Sequence, residues 1–370
     1  MSYIFWLLFL LSTLSIGNKV LLYRSGQEFT NILKTTTPES FVTSPLIYPW
    51  ANFDGVHYIE IAKFGYTTEA GFFPLYPILI KILSLFIGNY FIAAILISNT
   101  SFVVGLIFFH KLIKLDYPNK IANQAIIFLL IFPTSFFFAA AYSESLFLAL
   151  LMSCLYFTRK RMWFLASILG LLLSSTRIVG ILILPVLFWE FYTLEKTNFK
   201  NISLKLISLF LVPLGLLSYM IFNYIHWGNF MYFIKAQGMF SNNRSVDQVI
   251  LFPQTLFRYS KIIATVPYQQ YEWWIALVEL SLTFFVLTLL LFGFKQRMRI
   301  SYLIFSILVL LLPISSGTLS GMPRYVLMTF PIYITIALFK NKYLKITYFI
   351  LCLFLLTILW TLFTKGYYVA

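Results

Sequence analysis

Residues 162–191 read MWFLASILGLLLSSTRIVGILILPVLFWEF, a run too long for one membrane-spanning helix and too apolar for water. Thirty residues of straight helix reach about 45 Å, against a hydrocarbon core of about 30 Å. Basic residues bracket the run, with Arg159, Lys160 and Arg161 before it and Lys196 after it. Both of its ends therefore belong on the same side of a bilayer. The polar stretch SSTR at 174–177 supplies the break. The run reads as two short helices, about 162–175 and 178–191, turning near Thr176 and Arg177, with Arg177 at the opposite surface from the basic residues.

The same reasoning organises the rest of the chain. Of its 370 residues 60% are hydrophobic and 11% charged, with a mean hydropathy of +0.87. Soluble domains carry about 25% charged residues, so the composition predicts an all-α, polytopic membrane bundle. Five basic clusters separate the apolar runs: Lys111/Lys114/Lys120, Arg159/Lys160/Arg161, Lys196/Lys200/Lys205, Lys295/Arg297/Arg299 and Lys340/Lys342/Lys345. With 162–191 folded as a hairpin, these clusters alternate with about 11 transmembrane helices. The candidates lie near 3–23, 91–112, 119–140, 144–158, 162–175, 178–191, 202–226, 273–294, 300–316, 324–339 and 345–363. Residues 3–23 follow no basic n-region and read as a retained first span rather than a cleaved signal. No repeat or linker divides the chain, so 1–370 reads as one integral membrane domain.

Charge and cysteine content narrow the function. The formal net charge of +15 sits largely in the short loop clusters. That placement fits topology on an anionic leaflet rather than a nucleic-acid surface. Cys154 and Cys352 lie in apolar runs as small core residues. His57, His110 and His226 are too scattered in sequence to suggest a histidine-built metal site, and neither a metal nor a cofactor is expected.

Two segments outside the apolar runs are long: 24–90 and 227–272, the latter containing QGMFSNNRSVDQ. The first holds YPWANFDGVHYIEIAKFGY (48–66). If its centre is helical, Trp50, Asp54, His57, Tyr58 and Ile61 share one face. The FFPLYPILIKILSLFI that follows (72–87) has two readings. As a crossing helix it places 24–71 on the basic side. As a helix in the outer interface it leaves 24–71 outside, and Pro74, Pro77 and Lys81 favour that reading.

Ionisable groups at the edges of apolar runs are costly unless used or paired. Asp54, His57, Glu144 (in FPTSFFFAAAYSESLF), Arg177 and Arg324 (in SGTLSGMPRYVLMTFP) are the conspicuous ones. Each has an ordinary structural role open to it: a helix cap, a dipole contact, a snorkelling side chain or a mutual ion pair. With the first loop outside, however, all five fall on one face. Arginine forks bind phosphate oxygens, and a neighbouring carboxylate can take a proton from an attacking hydroxyl. The set suits an anionic, lipid-linked substrate.

WANFDGVHYIEIAKFGY followed by FFPLYPILIKIL resembles the W-D-x-x-x-Y-x-x-I-A-x-x-G-Y…F-F-P-L-Y-P-L pattern of the PIG-V-type mannosyltransferases. FPTSFFFAAAYSESLFLAL, ASILGLLLSSTRIVGILILP, YIHWGNFMYFIKAQ and MPRYVLMTFPIY are similar, in order, to further segments of that family. One departure is that Asn52 and Phe53 stand where relatives often carry a basic neighbour of the loop Asp. The resemblance implies a GT-C bundle with interfacial helices in its first external loop, 24–90, and a catalytic carboxylate there. It also implies a polyprenyl-phosphate-mannose donor.

The expected reaction is inverting sugar transfer to a glycolipid or glycan acceptor on the extracytoplasmic face. Asp54 would be the base. Arg177 and Arg324, with Lys261 or Arg258 as helpers, would hold the leaving phosphate, and Glu144 would orient an arginine or the acceptor. His57, Tyr58, Tyr325 and Trp50 would contact sugar or phosphate. The plasma membrane of a prokaryote or the endoplasmic reticulum of a eukaryote is the expected site. Another sugar donor, or a lipid-linked sugar transporter, remains an alternative reading of the same residues. So does a purely structural subunit, in which Asp54 would be replaceable.

Overall fold

A computed structural model describes residues 2–24, 29–195, 204–240, 245 and 248–369, and among them every regular element is a helix. Lys196, Lys200 and the middle of QGMFSNNRSVDQ lie outside the described residues. Among the described residues six helical stretches are long and apolar enough to cross a bilayer: Ser2–Val20, Tyr90–Ile113, Ile178–Glu195, Leu204–Trp227, Tyr271–Lys295 and Lys342–Thr364.

The first of these, α1 (Ser2–Val20), leads into a loop built of short helices: α2 (Phe29–Thr36), α3 (Glu39–Val42), α4 (Asp54–Phe64) and α5 (Leu75–Ile87). The single helical face expected for 50–61 does not form. Trp50 lies in a separate 3-10 turn, Tyr48–Ala51, and α4 starts only at Asp54. The cause is local. The Asn52 carbonyl accepts a bond from the Tyr142 hydroxyl, and its side-chain amide donates to Phe363, so the chain is pinned before it can coil. Phe53 turns the corner with φ +60°, a conformation that costs a bulky residue about 1–3 kcal/mol.

Helix α5 has 13 residues, about 20 Å at 1.5 Å each, which is too short to cross a bilayer core. Gly88 (φ +74°) and the Asn89 cap fold it back antiparallel along α6 (Tyr90–Ile113). The Tyr76 hydroxyl lies 2.7 Å from Ser98 Oγ and donates to the Ala94 carbonyl at 3.1 Å. The 72–87 segment is thus one arm of a hairpin with α6.

Helices α7 (Asn119–Leu130), α8 (Glu144–Arg159), α9 (Trp163–Ser174) and α10 (Ile183–Glu195) follow. The expected hairpin in 162–191 is present. α9 ends at Ser174, and the chain resumes after Arg177 as a 3-10 turn, Ile178–Leu182, that continues into α10. Gly180 permits the reversal, because a Cβ there would lie 2.2 Å from the Leu173 carbonyl oxygen. Helix α8 is buried on nearly every side and forms the central post, which is what an all-round apolar helix requires. Then come α11 (Leu204–Ser208), α12 (Val212–Trp227), α13 (Tyr232–Phe240), α14 (Phe252–Thr265), α15 (Tyr271–Lys295) and α16 (Ile300–Ile314). The chain continues with α17 (Met322–Tyr325), α18 (Pro331–Leu338) and α19 (Lys342–Thr364).

Two runs expected as continuous spans are broken. In 119–140 the helix stops at Leu130, and 131–143 is irregular apart from the 3-10 turn Ser135–Phe138. In 324–339, α17 and the 3-10 turn Val326–Met328 precede α18. Pro133, Pro323 and Pro331 cannot donate in a helical ladder. The broken chain is buried in protein, where non-helical backbone at membrane depth is tolerated. The two breaks touch: Thr134 Oγ1 donates to the Pro323 carbonyl at 2.8 Å.

One end of the bundle gathers basic loops and their ion pairs, Arg159 with Asp116, Arg299 with Glu190 and Lys205 with Glu195. Arg24, Glu272 and Lys365 meet at the other end, where the Arg24 N–H donates to the Lys365 carbonyl at 2.9 Å. Asp54, Glu144, Arg177 and Arg324 lie toward this second end.

Candidate active site

Each functional side chain stands at a helix start or a chain break. Asp54 opens α4 and Glu144 opens α8, where the positive ends of the helix dipoles favour carboxylates. Arg177 occupies the α9–α10 turn, and Arg324 follows Pro323 in α17. Gly55 lets the first turn of α4 close on the irregular 131–143 chain. A Cβ at that position would come within 3.3 Å of the Ala141 carbonyl oxygen, and the Ala141 N–H donates to the Trp50 carbonyl at 2.8 Å.

The four charges form a single chain of contacts. Arg324 Nη1 bonds the Asp54 carboxylate, while Nε and Nη2 both lie 2.7 Å from Glu144 Oε1. Arg177 Nη1 bonds the same Glu144 oxygen. Glu144 is fully buried, and among the described residues nothing hydrogen-bonds its Oε2. Aromatic faces cover the cations. Arg324 lies 4.9 Å from the Tyr142 ring centre and Arg177 lies 5.6 Å from that of Tyr325, a favourable placement for guanidinium. The Tyr142 hydroxyl donates to the Asn52 carbonyl at 2.8 Å and accepts from the Asp54 N–H at 3.2 Å. It therefore clamps both sides of the strained Phe53. Tyr58 meets Ser143 Oγ at 2.9 Å.

A cavity of about 480 Å³ opens beside this network. Asp54, His57, Tyr58, Arg177, Arg324 and Tyr325 all line it, so six of the residues singled out in the sequence converge. Glu144 lies behind the arginines. Two do not join them. Trp50 packs on Trp360 at 4.7 Å and donates to the Leu46 carbonyl. Lys261 is exposed on α14, away from the lining, and its neighbour Arg258 is engaged with the Gly317 carbonyl at 3.1 Å.

Sequence reasoning missed three participants. Gln237 of α13 lines the cavity; it ends the YIHWGNFMYFIKAQ motif but carries no charge to mark it. Tyr142 precedes SES and looked like one more aromatic. Tyr368 lines the cavity and packs edge-on against Phe53 at 5.3 Å, a contact that no local pattern announces.

The groups best typed for a metal are His57, Glu60 and Glu69, whose ligating atoms lie within 4.8 Å of one another. His57 also stacks on Phe72 at 5.3 Å. Burial would raise the Glu69 carboxyl, but bonds from Thr67 and Thr68 outweigh it and hold the group below its ordinary value. Those donors already occupy Glu69 Oε2. Burial, then the neighbouring Glu69 charge, raise Glu60. The trio could hold a divalent cation by donor type.

No protein-family model matches the chain, and no curated protein matches it.

Proposed function

We propose that the chain is a multi-pass membrane glycosyltransferase of the GT-C, PIG-V-like kind, transferring mannose from a polyprenyl-phosphate donor to a glycolipid or glycan acceptor. In this reading the basic end is cytoplasmic, the cavity is extracytoplasmic, and about 11 apolar segments, some short or broken, are embedded. The observation that carries the reading is the convergence of one carboxylate and two arginines on one cavity, beside aromatic side chains able to face a sugar.

The mechanism follows from the shared arginine. Arg324 holds Asp54. A donor phosphate competes for the guanidinium, since arginine forks bind phosphate oxygens in the same way. Exchange leaves the phosphate on Arg324 and Arg177 and frees the Asp54 carboxylate to face the acceptor. The acceptor oxygen attacks the anomeric carbon from the side opposite the phosphate. The new C–O bond forms as the C–O bond to phosphate breaks, the lipid phosphate leaves with the electron pair, and Asp54 takes the hydroxyl proton. The charge on the leaving group rises where the two cations already stand. Glu144 keeps both guanidinium groups in place.

Transfer of label from polyprenyl-phosphate mannose into membrane glycolipid, by wild type and not by Asp54→Asn, is the expected result. Equal transfer by both proteins would sink the assignment of Asp54. One observation favours a second reading: two broken helices meeting beside ionisable groups also occur in transporters. Flux of a lipid-linked sugar across proteoliposomes that persists in Asp54→Asn, without product formation, would support that alternative.

A further inference from the structure

A second cavity, of about 450 Å³, lies among α4, α5 and α12. It is separated from the first by the chain around Phe72. The Phe72 and Phe73 side chains line the first cavity, whereas Tyr66 and Tyr219, which line the second, donate to the Phe72 carbonyl at 2.7 and 3.1 Å. Two helical ladders form its walls, Pro77 and Lys81 on α5, capped by Pro74, and Tyr219, Phe222 and His226 on α12. Both helices run away from the basic end. α5 is antiparallel to α6, whose last turn carries His110 and Lys111, and α12 leads away from the Lys205–Glu195 pair. Lys81 and His226 therefore stand at the same, outward end of an otherwise apolar groove.

Lys81 is a cation in apolar company. Among the described residues no acidic side chain pairs with it. Its own helix presents Leu85 and Phe86, 75% and 83% exposed, and further exposed apolar residues. A lysine at a membrane surface attracts an anionic headgroup, and an apolar groove open beside it suits a hydrocarbon chain. We propose that this groove binds an anionic glycerophospholipid of the surrounding bilayer, with an acyl chain along the proline–tyrosine walls and the phosphate on Lys81. The His226 imidazole supplies a hydrogen bond to the phosphate or a glycerol ester oxygen. A donor for the first cavity must bring its phosphate to Arg177 and Arg324, beyond Phe72. A separate cation here belongs to a lipid with its own headgroup. The inference does not depend on the transferase reading.

The test uses the full-length protein in phosphatidylcholine nanodiscs containing a photoactivatable phosphatidylglycerol, with photoactivatable phosphatidylcholine in a parallel set. Cross-links are mapped by peptide mass spectrometry. Phosphatidylglycerol should label 61–81 and 218–226 in preference to phosphatidylcholine. Lys81→Gln should lower that labelling about fivefold, the worth of one lysine at an anionic surface, and Lys81→Arg should retain it. Lys81 is solvent- or lipid-exposed, so both variants should fold, as elution profile and thermal midpoint will show. Equal labelling by the two lipids, or labelling unmoved in Lys81→Gln, overturns the proposal. Displacement of the label by a polyprenyl phosphate but not by unlabelled phosphatidylglycerol also overturns it, by assigning the groove to a donor tail.

Discussion

Two buried carboxylates, one at each end of the bundle, are bound by arginine in opposite ways. At the basic end Glu190 receives a complete fork from Arg299, Nε at 2.5 Å and Nη2 at 2.6 Å, and Ser301 completes the set. Each partner serves the other, and none of these residues lines either cavity described above. At the other end Glu144 takes two arginines on a single oxygen, leaves its second oxygen unbonded, and shares Arg324 with Asp54. A dedicated pair is finished chemistry and stabilises a loop junction. The shared arginine lies beside open volume, as the proposed exchange with a donor phosphate requires.

That contrast breaks first at Asp54. Asp54→Asn should lower sugar transfer by about 10²–10⁴-fold, the usual worth of a general base, while the thermal midpoint in detergent changes little. Wild-type activity in that variant would reduce the site to another structural pair. Arg324→Met should destabilise the fold by about 3–5 kcal/mol, because it leaves the Asp54 carboxylate without its guanidinium and Glu144 with Arg177 alone. Chemical denaturation compared with wild type measures it. Glu190→Gln supplies the contrast. It should lose about 1–3 kcal/mol, yet each folded molecule should transfer sugar at the wild-type rate. If Glu190→Gln instead abolishes transfer in folded protein, the two ends do not differ as described.

Tyr142→Phe sharpens the comparison at smaller cost. It removes one hydroxyl from both the Asn52 carbonyl and the Asp54 N–H, a loss of about 1–2 kcal/mol. Turnover should fall by about tenfold or more, because the base loses its position, and binding of donor should be almost unchanged. The smallest effect is at Glu60→Gln. Burial and Glu69 raise the pKa of Glu60, so the folded protein holds that proton more tightly than the unfolded chain. Its contribution is complete in acid and declines as the pH rises through the raised pKa. The variant should be more stable than wild type at neutral pH, by under about 1 kcal/mol given the partial exposure of the side chain. The gain should vanish in acid, and melts at the two pH values decide it.

Charge placement made the main outlines readable. Basic residues on both sides of 162–191 required a turn, and Arg177 is at that turn. Ionisable residues in apolar surroundings are few, so Asp54, His57, Glu144, Arg177 and Arg324 could be singled out before their contacts were known. What escaped were features set by tertiary contacts. Hydropathy cannot distinguish a continuous span from 131–143, because irregular chain buried in protein is as apolar as helix. The start of α4 depends on Phe363 and Tyr142, far away in sequence, so a local pattern extended the helix back to Trp50. Lys261 misled for the converse reason: a cation in a long loop says nothing about which way its helix faces.

The bond from Asn52 to the Phe363 carbonyl joins residues 311 positions apart. During synthesis the loop before α4 is made early, but the partner that pins it arrives only with α19. Until then Phe53 has less reason to hold its strained turn, and Asp54 lacks its fixed place. A ribosome-bound or truncated chain that stops short of α19 would carry the charged residues of the site but hold the turn before Asp54 by Tyr142 alone. Competence would then be acquired in a single late step, when α19 docks against α1.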